Sequence, residues 1–116
     1  MSRALHPTEA AWARHLIGYG ASFGASPSVA QRLRWLDYLG SATAGKECGC
    51  GTCPSVELVG ADGVTPSGPS CYVLEGGTRD LLVLLHVIDD RPAYLEGAPS
   101  PGLSIPEFPE LGAVAT

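Results

Sequence analysis

Three of the four cysteines fall within the six residues Cys48-Gly49-Cys50-Gly51-Thr52-Cys53. Thiolates at this spacing suit a metal. A structural zinc site takes four ligands in a tetrahedron, usually from two short clusters distant in sequence. Cys50-Gly51-Thr52-Cys53 supplies one two-ligand turn, and Cys48 adds a third thiolate. Glycines let the backbone wrap close to an ion. Cys71 or His86 is the candidate fourth ligand, because each lies on a segment expected to pair near this turn. The expected centre is a structural zinc site of Cys48, Cys50, Cys53 and either Cys71 or His86. The same residues read equally well as reduced cysteines packed as small hydrophobes in a tight Gly-rich turn, or as an adventitious disulfide there.

Reactive chemistry is the third reading of these thiols. A redox CxxC of the thioredoxin type needs a helix N-terminus to lower its thiolate pKa. Here Pro54 and an extended stretch follow instead. Cys48 and Cys53 stand as C-x4-C, but the further C-x2-C of a plant-type iron–sulfur site is absent from the sequence. A cysteine nucleophile with His86 as base is conceivable in principle. His86, however, sits in an apolar run with Leu82, Leu84 and Ile88, which suits a core histidine donating to an acceptor. His6 and His15 read as surface residues. Asp89 and Asp90 read as turn-capping groups. Ser55 and Ser70 lack the context of a nucleophile elbow.

The elements that must position these residues follow in chain order. His6-Pro7-Thr8-Glu9 marks a helix start with Thr8 as cap, and Trp12, Leu16 and Tyr19 recur on one face. The helix is predicted over 8–20, ending at Gly18-Tyr19-Gly20. Ser26-Pro27 opens a second helix over 27–40, with Val29, Leu33, Leu36 and Leu39 along one face and Trp35 and Tyr38 widening it. A short Gly/Ser/Ala connection favours an antiparallel helical hairpin. After the cysteine turn at 48–53, strands are predicted over 55–60, 70–75, 81–89 and 93–96. The third is apolar on both faces and should be central. The segment 97–116 holds four prolines. It reads as an extended tail docking Ile105, Phe108 and Leu111. The expected fold is α+β: an N-terminal helical hairpin packed on a small three- to four-stranded antiparallel sheet, with an extended Pro-rich C-terminal tail.

Composition bounds the function. A chain of 116 residues reads as one domain, and its 45% hydrophobic and 16% charged content suits a folded core. The net charge of −5 argues against a nucleic-acid binder working through phosphate contacts. Arg3, Arg14, Arg32 and Arg34 lie in the N-terminal half, where they read as a solvated helix surface. The N-terminus has no continuous apolar core after its one arginine, and Leu81 to Ile88 is far too short for a bilayer. A cytoplasmic protein with reduced or metal-bound thiols is expected.

Cys50-Gly51-Thr52-Cys53-Pro54-Ser55-Val56-Glu57-Leu58 and Leu81-Leu82-Val83-Leu84-Leu85-His86-Val87 together resemble a group of small proteins of high-GC, actinobacterial-type bacteria. These carry a C-x-C-G…C-P-S-[VI] turn after N-terminal helices. An LLHV strand, a DGR-like turn and a Pro-containing end follow. Asp89-Asp90-Arg91-Pro92 stands in place of that turn, and Ile105-Pro106-Glu107-Phe108-Pro109 in place of that end. The resemblance covers about half the chain and implies a shape and a shared cysteine turn, with no activity. Cys71 lies outside it, so it favours His86, or no fourth protein ligand. The function expected is a small non-enzymatic interaction module, partnered by another protein or its own copies, with zinc at the cysteine turn. A structural subunit or adaptor of a larger assembly, such as a phage particle, is the second reading. A thiol-based redox enzyme or metallochaperone is the third.

Overall fold

The structure is a computed structural model that describes residues 3–111. These residues form two helices and one six-stranded sheet. The elements in order are α1 (Pro7–Tyr19), β1 (Ala21–Ser22), α2 (Val29–Leu39), β2 (Thr43–Glu47), β3 (Val56–Val59), β4 (Tyr72–Gly77), β5 (Leu81–Ile88) and β6 (Arg91–Pro99). The strand order is β1-β4-β5-β6-β3-β2, antiparallel throughout.

This corrects the expected fold. The chain is mostly sheet, with six strands where three or four were predicted. The helices are not a simple hairpin either, because β1 lies between them and pairs with β4 at one edge of the sheet. Two strands escaped the sequence pattern for a physical reason. β1 is two residues long, and β2, Thr43-Ala44-Gly45-Lys46-Glu47, buries only Ala44, so neither shows apolar alternation. The tail is corrected as well. Gly97 to Pro99 belong to β6, and the remaining described residues run back over the body. Phe108 is buried, Ile105 and Leu111 pack against the core, and Pro109 C=O accepts from Trp12 Nε1 at 2.7 Å. The end of the predicted tail, 112–116, lies outside the described residues.

One face of the sheet carries the core. Along β5, Leu81, Val83, Leu85 and Val87 point under the helices, while Leu82, Leu84, His86 and Ile88 point to the open face. Leu74, Leu95, Val56 and Leu58 continue the buried face across β4, β6 and β3. Trp12, Ala13, Leu16 and Ile17 of α1 and Trp35 and Leu39 of α2 close it from above. The buried faces overlap the predicted ones in part. Trp12, Leu16, Trp35 and Leu39 are buried as expected and Ala13 and Ile17 join them, whereas Tyr19, Val29 and Leu33 are exposed. The second helix starts later than Ser26-Pro27 implied. Ser28 is its cap: Gln31 N–H donates to Ser28 Oγ at 3.1 Å, and Ser28 N–H to Gln31 Oε1 at 2.7 Å.

Polar contacts tie the helices to the sheet and to each other. Arg32 donates to Ile17 C=O at 2.8 Å, at the C-terminal end of α1. Asp89 and Asp90 turn β5 into β6 with φ of 53° and 58°, the left-handed pair of a type I′ hairpin turn. Asp90 accepts from Trp35 Nε1 at 2.9 Å and from Arg34 Nε at 3.0 Å, which locks α2 over that turn. The arginines read as a solvated helix surface are therefore partly spent inside the fold.

Glu9 is the buried charge of α1. Burial alone would raise its pKa. The Arg3 guanidinium, bonded to both carboxylate oxygens at 2.9 and 3.0 Å, and His6 N–H at 2.7 Å outweigh that and hold it below the ordinary glutamate range. A carboxyl whose folded pKa lies below its unfolded one contributes stability above the unfolded value. That contribution is lost as pH falls through the folded value. Thermal melts are expected to lose stability as pH drops below the ordinary glutamate range. Glu9→Gln is expected to melt lower at neutral pH and to show a flatter acid limb; an unchanged limb would contradict the pairing.

Candidate metal centre

The cysteine turn is the loop of a β-hairpin. β2 and β3 pair antiparallel, with Thr43 opposite Val59, Ala44 opposite Leu58 and Glu47 opposite Val56. Cys48 N–H donates to Ser55 C=O at 3.0 Å and closes the loop across its base. The returning side is anchored in the sheet. Ser55 is buried, its Oγ accepts from Gly97 N–H at 3.0 Å, and its hydroxyl donates back to Gly97 C=O at 3.3 Å. Gly97 is required there, because a Cβ would stand 2.5 Å from the Pro54 ring. Thr52 C=O accepts from Ile105 N–H at 2.9 Å, so the returning tail braces the loop from the other side.

Within this frame the loop turns sharply. Gly49 and Gly51 adopt φ of 78° and 76°, the left-handed region open to glycine at little cost. They flank Cys50 and bring the thiols together. The sulfurs of Cys48, Cys50 and Cys53 all lie within 4.8 Å of one another. Cys50 Sγ stands 3.2 Å from Cys53 Sγ and 3.2 Å from Thr52 Oγ1, and Thr52 N–H points at it from 3.4 Å. Cys48 and Cys50 are exposed and Cys53 is half-buried.

The Thr52 hydroxyl, then the Thr52 N–H and the two neighbouring thiols, pull the Cys50 thiol down to about 6. Cys48 moves the other way. The adjacent Cys53 thiol is the main cause of its rise to about 11. One thiolate is thus formed near neutral pH at the centre of the loop, with two further sulfurs beside it.

The other two predicted ligands stand elsewhere. Cys71 precedes β4, exposed, with its N–H donating to Val87 C=O at 2.7 Å. His86 faces the open side of the sheet, and both its ring nitrogens are engaged. Nε2 meets Glu96 Oε1 at 2.8 Å and Nδ1 meets Ser70 Oγ at 3.1 Å. Neither residue belongs to the group of close sulfurs, which among the described residues consists of Cys48, Cys50 and Cys53. Sequence reasoning missed Thr52, the donor that sets the Cys50 thiolate. Its place between two cysteines was the available signal. Ser55, read only as lacking an elbow, turns out to be the anchor.

No family model, curated protein or solved structure matches this chain.

Metal-free protein treated with iodoacetamide at pH 7 is expected to be alkylated first at Cys50, roughly tenfold or more faster than at Cys71, because the thiolate is the reacting form. Thr52→Val removes the hydroxyl donor and is expected to slow Cys50 several-fold while leaving Cys71 unchanged. Equal rates at the two sites, read by peptide mass spectrometry, would contradict the assignment.

Proposed function

We propose that the protein is a small interaction module whose β2–β3 loop holds a zinc ion through Cys48, Cys50 and Cys53. The observation that carries this reading is the approach of the three sulfurs to within 4.8 Å on a loop braced at both ends. Zinc–thiolate bonds of about 2.3 Å place tetrahedral sulfurs roughly 3.8 Å apart. The existing spacing lies around that value, so closure on the ion takes small side-chain rotations.

With Cys71 and His86 elsewhere, the fourth position falls to a ligand from outside the chain's own fold: water, or a group brought by a partner. This is what joins metal to interaction in one reading. Next to the loop lies a cleft of about 620 Å³, which Glu47 and Pro54 line just outside the two ends of the cysteine run. Exposed Glu107 and Glu110 stand on its rim and buried Phe108 on its wall. Such a cleft suits a protein segment carrying a basic residue next to apolar ones.

One observation favours thiol chemistry as the second reading: the Cys50 thiolate lies 3.2 Å from the Cys53 sulfur, close enough for the pair to oxidise to a disulfide.

Elemental analysis of the purified reduced protein is expected to find about one zinc per chain. Chelation should release it, expose three additional titratable thiols and lower the melting temperature. Cys50→Ser is expected to lower zinc affinity at least tenfold. Protein without zinc, whose Cys50 and Cys53 oxidise readily, would replace the metal reading with the thiol one.

A further inference from the structure

On the face of the sheet away from the helices, the geometry points to a second site: Ser70 is a nucleophile activated by His86, and the adjoining cleft accepts short-chain acyl esters. This goes beyond the metal-held module and uses none of its residues.

The site is built by strand register. His86 on β5 lies opposite Tyr94 on β6, and Glu96 lies one pair further along the same face, opposite Leu84. Side chains on one face of neighbouring strands meet diagonally. The Glu96 carboxylate therefore reaches His86 Nε2, at 2.8 Å. The loop between β3 and β4 folds over this face and delivers Ser70 to the other ring nitrogen, at 3.1 Å.

The proton inventory follows from the chemistry of the three groups. An ionised carboxylate only accepts, so Nε2 carries the hydrogen it shares with Glu96. In the neutral ring that leaves Nδ1 with a lone pair, and the Ser70 hydroxyl is the donor to it. The two nitrogens exchange the roles they have in the serine-protease triad, but each group keeps its task. Serine is the nucleophile, histidine the base, and the carboxylate fixes the tautomer. Glu96 is a positioning residue, since it acts through the ring.

Two further features separate this arrangement from a buried strut. Ser70 is exposed, so its oxygen can meet a molecule from solution. Beside it lies a cleft of about 260 Å³, lined by Ser70, His86 and Tyr94 together with Pro66, Ile88 and Ala93. Apolar walls around one hydrogen-bonded nucleophile suit a small acyl group, and the volume holds only a short one. Glu57 also lines the cleft and disfavours an anionic substrate.

The step balances without a co-reactant other than water. Ser70 Oγ attacks the ester carbonyl carbon and its proton passes to His86 Nδ1. The bond from that carbon to the alcohol oxygen breaks, and the alcohol leaves with the proton from Nδ1. Water then attacks the acyl-serine, again giving its proton to Nδ1. The bond from the acyl carbon to Ser70 Oγ breaks, Oγ takes the proton back from Nδ1, and the carboxylic acid leaves with the Ser70 hydroxyl restored.

The full-length protein is treated with an alkyl fluorophosphonate probe and mapped by peptide mass spectrometry. A single adduct on Ser70, in preference to the other serines, is the expected result. His86→Gln should slow that labelling about 100-fold, the usual scale of a positioned base. Cys71→Ser should label like the native chain, separating the serine from the thiol next to it. Release of nitrophenol from p-nitrophenyl acetate should fall at least tenfold in Ser70→Ala, an exposed substitution that leaves the fold intact. Nitrogen NMR of the His86 ring should show the Nε2-protonated tautomer, and Glu96→Gln should lose that preference while the melting temperature holds. An unlabelled Ser70 would overturn the proposal. So would labelling at the same rate in a folded His86→Gln. If His86→Gln fails to fold, the selectivity for Ser70 over the other serines of the native chain decides.

Discussion

Ser55 and Gly97 exchange two hydrogen bonds in the interior of the sheet, and the geometry of the cysteine loop depends on that pair. A buried hydroxyl is costly unless both its donor and its lone pairs find partners. Here the backbone of one glycine supplies both, at 3.0 and 3.3 Å. The Pro54 ring fills the space that a side chain at Gly97 would occupy. The residues just after Cys53 are thus fixed to β6, which is itself the partner of the long strand β5. The loop is then free to be glycine-rich and tight between Cys48 and Cys53, because neither of its ends can drift.

The same economy runs through the rest of the molecule. The helices lie on one face only and pack aromatic and aliphatic side chains into it. Indole nitrogens that would be buried without partners find them at the margins: Trp12 at Pro109 C=O, and Trp35 at the Asp90 carboxylate. The open face mixes Leu82, Leu84 and Ile88 with polar side chains set in register across β5 and β6. Chemistry-bearing residues consequently separate by place. Three of the four thiols gather at the tip of one hairpin, and His86, Ser70 and Glu96 gather on the exposed side of the central strands. Among the described residues no helix is long and apolar enough to cross a membrane.

What was legible in the sequence had strong local signals. Glycines at 49 and 51 and three cysteines so close together leave a tight thiol-bearing turn as the natural outcome, and the long apolar run of β5 declares itself a strand. Less was visible where the signal is tertiary. β2 contributes backbone hydrogen bonds and one small buried side chain, so nothing in its composition marks it as a strand. Without β2 the cysteine turn looks like a connection after helices instead of a hairpin tip, and the fourth ligand is then sought at Cys71 and His86, which lie outside the group of close sulfurs. His86 was read by its apolar neighbours along the chain. Its actual environment comes from residues across the sheet, Glu96 and Ser70, whose approach depends on register and on a loop rich in proline and glycine. The helix faces were legible in part. Trp12, Leu16, Trp35 and Leu39 are buried as their periodicity implied, while Val29 and Leu33, at the same period, are exposed because the side of α2 that carries Trp35 meets the sheet.

The measurement that bears most directly on the metal centre is X-ray absorption at the zinc edge of the zinc-loaded protein. The expected result is three sulfur scatterers at about 2.3 Å and one nitrogen or oxygen, as three cysteines and an outside ligand require. A shell of four sulfurs would mean that Cys71, or a thiol of a second copy, completes the site. A shell of nitrogen and oxygen alone would mean that the cysteine loop holds no zinc.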